Sequence, residues 1–109
     1  LINGPTFSAS TLFAHTVKAQ SNVLLVGEEA GGGAHGNSGI LIPDVVLPET
    51  KMKVRMPLFR LVQYHHAPKD GRGVMPDIDV PPTVENVRKG RDGKMDKVME
   101  IIKDSSAIQ

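Results

Sequence analysis

Apolar and polar positions divide the chain into a few short elements. Leu1-Ile2 reads as the end of a buried strand, broken by the turn formers Asn3, Gly4 and Pro5. From Ala9 to Gln20, Leu12, Phe13, Thr16 and Val17 recur at helical spacing, which predicts an amphipathic helix. Val23-Leu24-Leu25-Val26 is an all-apolar run stopped by Gly27, as suits a strand covered on both sides. Strand, helix and strand in that order predict a βαβ crossover and an α/β sheet. Gly31 to Gly39 reads as a tightly turned or flexible loop. Ile40 to Leu47 and Lys51 to Tyr64 then form a hairpin around Pro48-Glu49-Thr50. Its second arm alternates Met52, Val54, Met56 and Leu58 with Lys51, Lys53, Arg55 and Pro57, the pattern of a half-exposed strand. Pro43 and Pro57 place the hairpin at an edge, because neither can donate to a ladder.

The C-terminal part is more polar. His65 to Arg72 is a connection, and Val74 to Pro82 is extended and punctuated by prolines. Thr83 is set to cap a short helix through Val87. Asp92 is set to cap a final helix carrying Met95, Val98, Met99 and Ile102 on one stripe, with Ser105 to Gln109 expected to fray.

Composition narrows the class without choosing a function. The chain has 109 residues, 39% hydrophobic and 23% charged, which fits one modest domain or part of one. Thirteen basic residues balance 12 acidic ones with no single-sign block, so nothing points to nucleic acid or a charged membrane surface. The absence of Cys excludes disulfides, thiolate metal sites and a cysteine nucleophile. No apolar run approaches the roughly 20 residues of a membrane-spanning helix. The first residues also lack signal-peptide character and read as the end of an element, so the chain is expected to be a fragment of a longer domain.

The candidate chemistry centres on Ser8. A serine between a strand end and a helix start can be a plain N-cap, or it can hold a nucleophilic hydroxyl beside outward-pointing N–H groups. The Gly-x-Ser-x-Gly elbow is absent. Gly31-Gly32-Gly33 is either a plain turn or backbone able to approach a substrate closely, and it fits neither a phosphate loop nor a dinucleotide fingerprint. His15 is expected on a polar helix face, His35 in the glycine loop, and His65-His66 in the polar connection; no zinc-ligand spacing is present and no metal or cofactor is expected. Glu28, Glu29, Asp77 and Asp79 read as surface or turn carboxylates.

Three ordered segments carry a resemblance. Thr6-Phe7-Ser8-Ala9-Ser10, Val26-Gly27-Glu28-Glu29-Ala30-Gly31-Gly32-Gly33 and Gly71-Arg72-Gly73-Val74-Met75-Pro76-Asp77-Ile78-Asp79-Val80 together resemble the C-terminal half of the catalytic domain of carboxyl-terminal processing (tail-specific) serine peptidases. Thr83 to Ile102 is similar to the closing helices of versions found in Bacteroidetes-type bacteria. The resemblance implies a crotonase-like (ClpP/crotonase) α/β spiral, here a partial domain with a βαβ unit, a β-hairpin and C-terminal helices.

It further implies Ser8 as nucleophile and the Ala9 N–H as one oxyanion donor, the second donor lying upstream. The lysine of the family's Ser–Lys branch corresponds to Gly33, so a lysine base is absent from this loop. The tricorn-like branch instead takes a histidine from the N-terminal half and a glutamate whose position corresponds to Asp70, a candidate orienting carboxylate. His15, His35, His65 and His66 match no family base. The implied activity is endopeptidase acyl transfer on polypeptides in the periplasm or cell envelope, with this piece inactive without its missing half. Alternatives are a non-catalytic peptide-binding or scaffolding relative and a crotonase-type acyl-CoA enzyme, the latter disfavoured because no adenine- or phosphate-binding cluster is visible. Uncovered sheet edges and apolar surface also predict homodimerisation of the isolated chain.

Overall fold

The computed structural model describes residues 1–64 and 67–106, with the side chains of 105 and 106 outside the description. His65, His66 and the last three positions of the predicted fraying tail lie outside the described residues. The elements in chain order are α1 (Ala9–Lys18), β1 (Val26–Gly27), β2 (Gly36–Asn37), β3 (Asp44–Val46), β4 (Lys53–Arg55), β5 (Leu61–Val62), β6 (Ile78–Asp79), α2 (Val84–Arg88) and α3 (Gly93–Ser106). Helix α1 ends two residues before the predicted Gln20, in a turn where the Gln20 N–H donates to the Val17 carbonyl.

The predicted crossover is present. Ile2 bridges Gly27 in parallel, and β1 pairs in parallel with β6 through Val26–Ile78 and Gly27–Asp79. The apolar run at Val23 to Val26 contributes its strand later than predicted. Only its last residue joins β1, because the carbonyl of Leu25 is taken up by the N–H groups of Asp77 and Ile78. Two further two-stranded sheets follow, β2 with β5 and β3 with β4, both antiparallel. Gly36-Asn37 is therefore a strand rather than loop, and beyond Leu58 the second arm leaves the hairpin and pairs through β5 with β2.

The hairpin differs most from expectation. Val45 faces Val54, and the pairing continues outward through Leu47 with Met52, Pro43 with Met56 and Leu41 with Leu58. One hairpin face is thus wholly apolar, as the alternation predicts. Yet residues 44–60 are all exposed, Met52 at 58% and Val54 at 40%. Alternation sets which residues share a face; it does not supply the layer that covers them.

The core is small and lies elsewhere. It comprises Ile2, Ala14, Leu25, Ala30, Ala34, Ala67 and Val74, with Val17 and Val23 packed against it. The radius of gyration is 18.8 Å, against about 13 Å for a compact chain of ~100 residues. This is an extended arrangement, a mixed helix-and-strand structure compatible with part of an α/β domain. Both predicted C-terminal caps are present. Thr83 Oγ1 accepts from the Asn86 N–H at 3.1 Å, and Asp92 Oδ1 accepts from the Lys94 and Met95 N–H groups at 3.0 and 3.3 Å. No helix among the described residues is long and apolar enough to cross a membrane.

Asp77 ties α1 to the sheet. Lys18 Nζ contacts Asp77 Oδ1 at 2.6 Å and the Met75 carbonyl at 2.7 Å, while Asp77 Oδ2 accepts from the Leu25 N–H at 2.8 Å. The Lys18 hydrogen bond first, and the Leu25 amide second, hold the Asp77 carboxyl below its ordinary value of 3.8. A depressed carboxyl stabilises the fold above its unfolded-state pKa, and that contribution fades as pH falls through the folded-state value. Urea unfolding between pH 7 and pH 2.5 is expected to show this acid loss. Asp77→Asn, which removes a half-exposed ion pair, is expected to cost about 1 kcal/mol at neutral pH and to flatten the acid limb. An unchanged acid limb in Asp77→Asn would count against it.

Candidate active site

The residues around Ser8 form a strand–turn–helix junction. The Thr6 N–H donates to the Asn3 carbonyl at 2.8 Å, and the Asn3 N–H donates to Thr6 Oγ1 at 3.0 Å, closing the turn over Gly4-Pro5. Helix α1 then starts on the Ser8 carbonyl, which accepts from the Leu12 N–H at 3.1 Å. The Ala9 N–H is the first of the helix and has no intrahelical acceptor, so it is available at the helix mouth.

The geometry of Ser8 separates the two readings of a serine at a helix start. An N-cap has extended backbone and a side-chain oxygen accepting from the first turn. Ser8 instead has φ 51° and ψ −120°, with no capping hydrogen bond from its side chain. Ser8 and Lys51 alone among the described non-glycine residues have positive φ. A conformation that L-residues avoid costs on the order of 1–3 kcal/mol and persists only where surrounding contacts impose it. A strained strand-to-helix serine with its hydroxyl free of the helix is the arrangement that presents a nucleophile.

The imposing contacts come from the glycine loop. The Thr6 carbonyl accepts from the Gly32 N–H at 3.0 Å and from Thr11 Oγ1 at 2.9 Å. Gly32 is buried against this junction: a Cβ there would overlap Thr11 Oγ1 and stand 3.1 Å from the Ser8 nitrogen. The glycines therefore act through close approach, one of the two roles open to them from sequence. The loop is held from behind. The Ala30 N–H donates to the Val74 carbonyl and the Ala34 N–H to the Arg72 carbonyl, both at 2.9 Å. Glu29 Oε1 accepts from the Gly73 N–H at 2.8 Å, and Glu29 Oε2 meets Arg72 Nη2 at 2.6 Å. Glu29 is thus a structural clamp rather than a free surface carboxylate. Glu28 is likewise engaged, pairing with Lys94 of α3 at 2.6 Å.

Other candidate residues fall as follows. Asp70 is exposed, and its Oδ1 accepts from the Arg72 N–H at 2.9 Å in a local turn; no hydrogen bond among the described residues joins it to Ser8. Gly33 is exposed in the loop. His35 Nδ1 lies 3.0 Å from the Ala67 carbonyl, and His15 is half-buried on α1 with Nδ1 shielded and lacking a hydrogen-bond partner. No group of three or more potential metal ligands occurs among the described residues.

Three residues near the site escape sequence reasoning. A Cβ at Gly39 would lie 3.8 Å from Ser8 Oγ and 3.5 Å from Asn37 Oδ1, so the β2 end reaches the serine hydroxyl. Gln63 Nε2 donates to the Leu12 carbonyl at 3.1 Å while its backbone N–H donates to the His35 carbonyl at 3.0 Å, linking α1 to the β2–β5 sheet. Only knowledge that β2 pairs with β5 could have brought Asn37, Gly39 and Gln63 into view.

Residues 1–80 match the model of Peptidase family S41, and the chain belongs to that family. No curated protein matches the chain. Membership indicates a serine peptidase acting on polypeptide.

The loop contact is directly testable. Gly32→Ala is expected to destabilise the fold by about 1–3 kcal/mol through overpacking. Gly33→Ala, whose Cβ would meet only the Gly36 carbonyl at 3.7 Å, is expected to melt near wild type. Thermal unfolding of both variants checks the pair, and equal melting would remove the argument for close approach.

Proposed function

We propose that Ser8 is the nucleophile of an endopeptidase working by acyl transfer, within a crotonase-like domain of the carboxyl-terminal processing type. The observation that carries the reading is the strained, uncapped Ser8 at the mouth of α1 in a chain of this family. Ser8 Oγ attacks the peptide carbonyl carbon and loses its proton to a base. Charge developing on the carbonyl oxygen is met by the Ala9 N–H, whose helix-start position suits an oxyanion donor. The C–N bond then breaks, the amine leaves with the proton returned by the base, and water releases the acyl group from Ser8.

The base is assigned to sequence outside this chain, in keeping with the tricorn-like branch. Gly33 stands where the other branch carries lysine, and no described residue hydrogen-bonds the Ser8 hydroxyl. Asp70 is the orienting carboxylate of that base, with its Oδ1 also accepting from the Arg72 N–H in its turn. A periplasmic or envelope location follows from the same family reading. The runner-up is a non-catalytic peptide-binding relative, favoured by the missing lysine and by the local engagement of Asp70.

In the intact protein that carries this chain, a fluorophosphonate probe is expected to label Ser8, and Ser8→Ala is expected to abolish both labelling and peptide turnover. Absence of labelling in a folded intact protein favours the binder. The 109-residue chain alone is expected to show no turnover; hydrolysis of an unstructured peptide by it, lost in Ser8→Ala, would overturn the external base. With Met52, Leu58 and Phe59 exposed, the isolated chain is also expected to self-associate. A monomer by light scattering across a wide concentration range would count against that.

A further inference from the structure

We infer that Thr11 is a positioning residue for the Ser8 nucleophile, acting through the Thr6 carbonyl; the inference rests on the nucleophile reading above. Thr11 is 1% exposed and is the one polar side chain fully buried among the described residues. Valine would fill nearly the same volume without bringing a hydroxyl out of water, so packing alone does not account for threonine. The hydroxyl is used: Thr11 Oγ1 donates to the Thr6 carbonyl at 2.9 Å.

The direction of that bond is informative. Thr16, on the same helix but exposed, donates to the Leu12 carbonyl four residues back at 2.9 Å, the ordinary bond of a helical threonine. Thr11 reaches five residues back, past the first turn of α1 and onto the strand side of the junction. The Gly32 N–H meets the same oxygen at 3.0 Å, so both acceptor sites of the Thr6 carbonyl are occupied. Two residues later the backbone takes the positive φ of Ser8. Helix and loop thus grip one oxygen two residues before the strained serine. Without the Thr11 hydroxyl, Gly32 is the remaining donor to the Thr6 carbonyl, and the Thr6–Phe7–Ser8 segment can shift between that carbonyl and the helix. Displacing a nucleophile by a fraction of an ångström acts on the chemical step rather than on substrate affinity.

The test uses the intact protein, with peptide turnover and fluorophosphonate labelling as paired readouts. Thr11→Val is expected to lower kcat and the labelling rate on the order of ten- to hundredfold, with KM and melting temperature close to wild type. Thr11→Ser, which restores the donor, is expected to recover most of the rate. Wild-type rates in Thr11→Val, or a Thr11→Ser variant as slow as Thr11→Val, would overturn the positioning role. If neither Thr11→Val nor Thr11→Ala folds, the hydroxyl serves the core as a whole and the inference also fails. Ser8→Ala separates the two layers. Full activity there removes the nucleophile reading itself, whereas a dead Ser8→Ala beside a fully active Thr11→Val removes only the role of Thr11. A wild-type protein that neither labels nor turns over peptide removes both.

Discussion

A single carbonyl, that of Thr6, joins the three parts of the molecule that surround Ser8. It belongs to the turn following the first strand segment, it accepts from the glycine loop through Gly32, and it accepts from the first helix through Thr11. A carbonyl with both acceptor sites filled by groups from different segments has little freedom to rotate. Ser8 therefore inherits its backbone geometry from contacts that do not include its own side chain.

The grip on Thr6 is only as firm as the loop that provides it. Gly32 is held because Ala30 and Ala34 on either side are hydrogen-bonded to Val74 and Arg72. Glu29 fastens the same strip with one oxygen on the Gly73 amide and the other on Arg72. The strip leads into Asp77, where Lys18 and the Leu25 amide fix the far end of α1 to the sheet. Helix α1 is thus pinned near both ends, by Thr11 at its start and Lys18 at its finish. A charged contact at one end and a buried neutral one at the other respond differently to pH, so acid loosens the finish of the helix before the serine junction.

Local signals in the sequence carried much of this. Helical spacing located α1, and Thr83 and Asp92 announced the starts of α2 and α3 because capping depends on neighbours a few residues away. The place of Ser8 between a strand end and a helix start was legible in the sequence. Its positive φ was not, since nothing within Thr6 to Ser10 demands it. Glu29 and Gln63 stayed hidden for the same reason, since their partners lie 44 and 51 residues away, whereas Asn37 has a local partner in Gly39 and matters only through the fold that brings Gly39 to Ser8. The hairpin shows the converse limit. Its apolar face was read correctly from alternation, but burial requires a second layer, and a two-stranded hairpin standing alone is marginal in water.

The glycine loop also accounts for a serine elbow without flanking glycines. A strained strand-to-helix turn crowds its surroundings, and small residues must relieve that somewhere. Here the residues beside Ser8 are Phe7 and Ala9, both exposed and neither a glycine. The tight approach falls instead on Gly32, against Thr11 and the Ser8 nitrogen, and on Gly31, whose Cβ would overlap the Gly4 carbonyl and then meet the Phe7 ring at 2.5 Å. The steric requirement has moved from the serine's own sequence neighbours to a loop more than 20 residues away. A local motif search centred on the serine must miss such a site, because the space that the serine needs is supplied from outside the searched window.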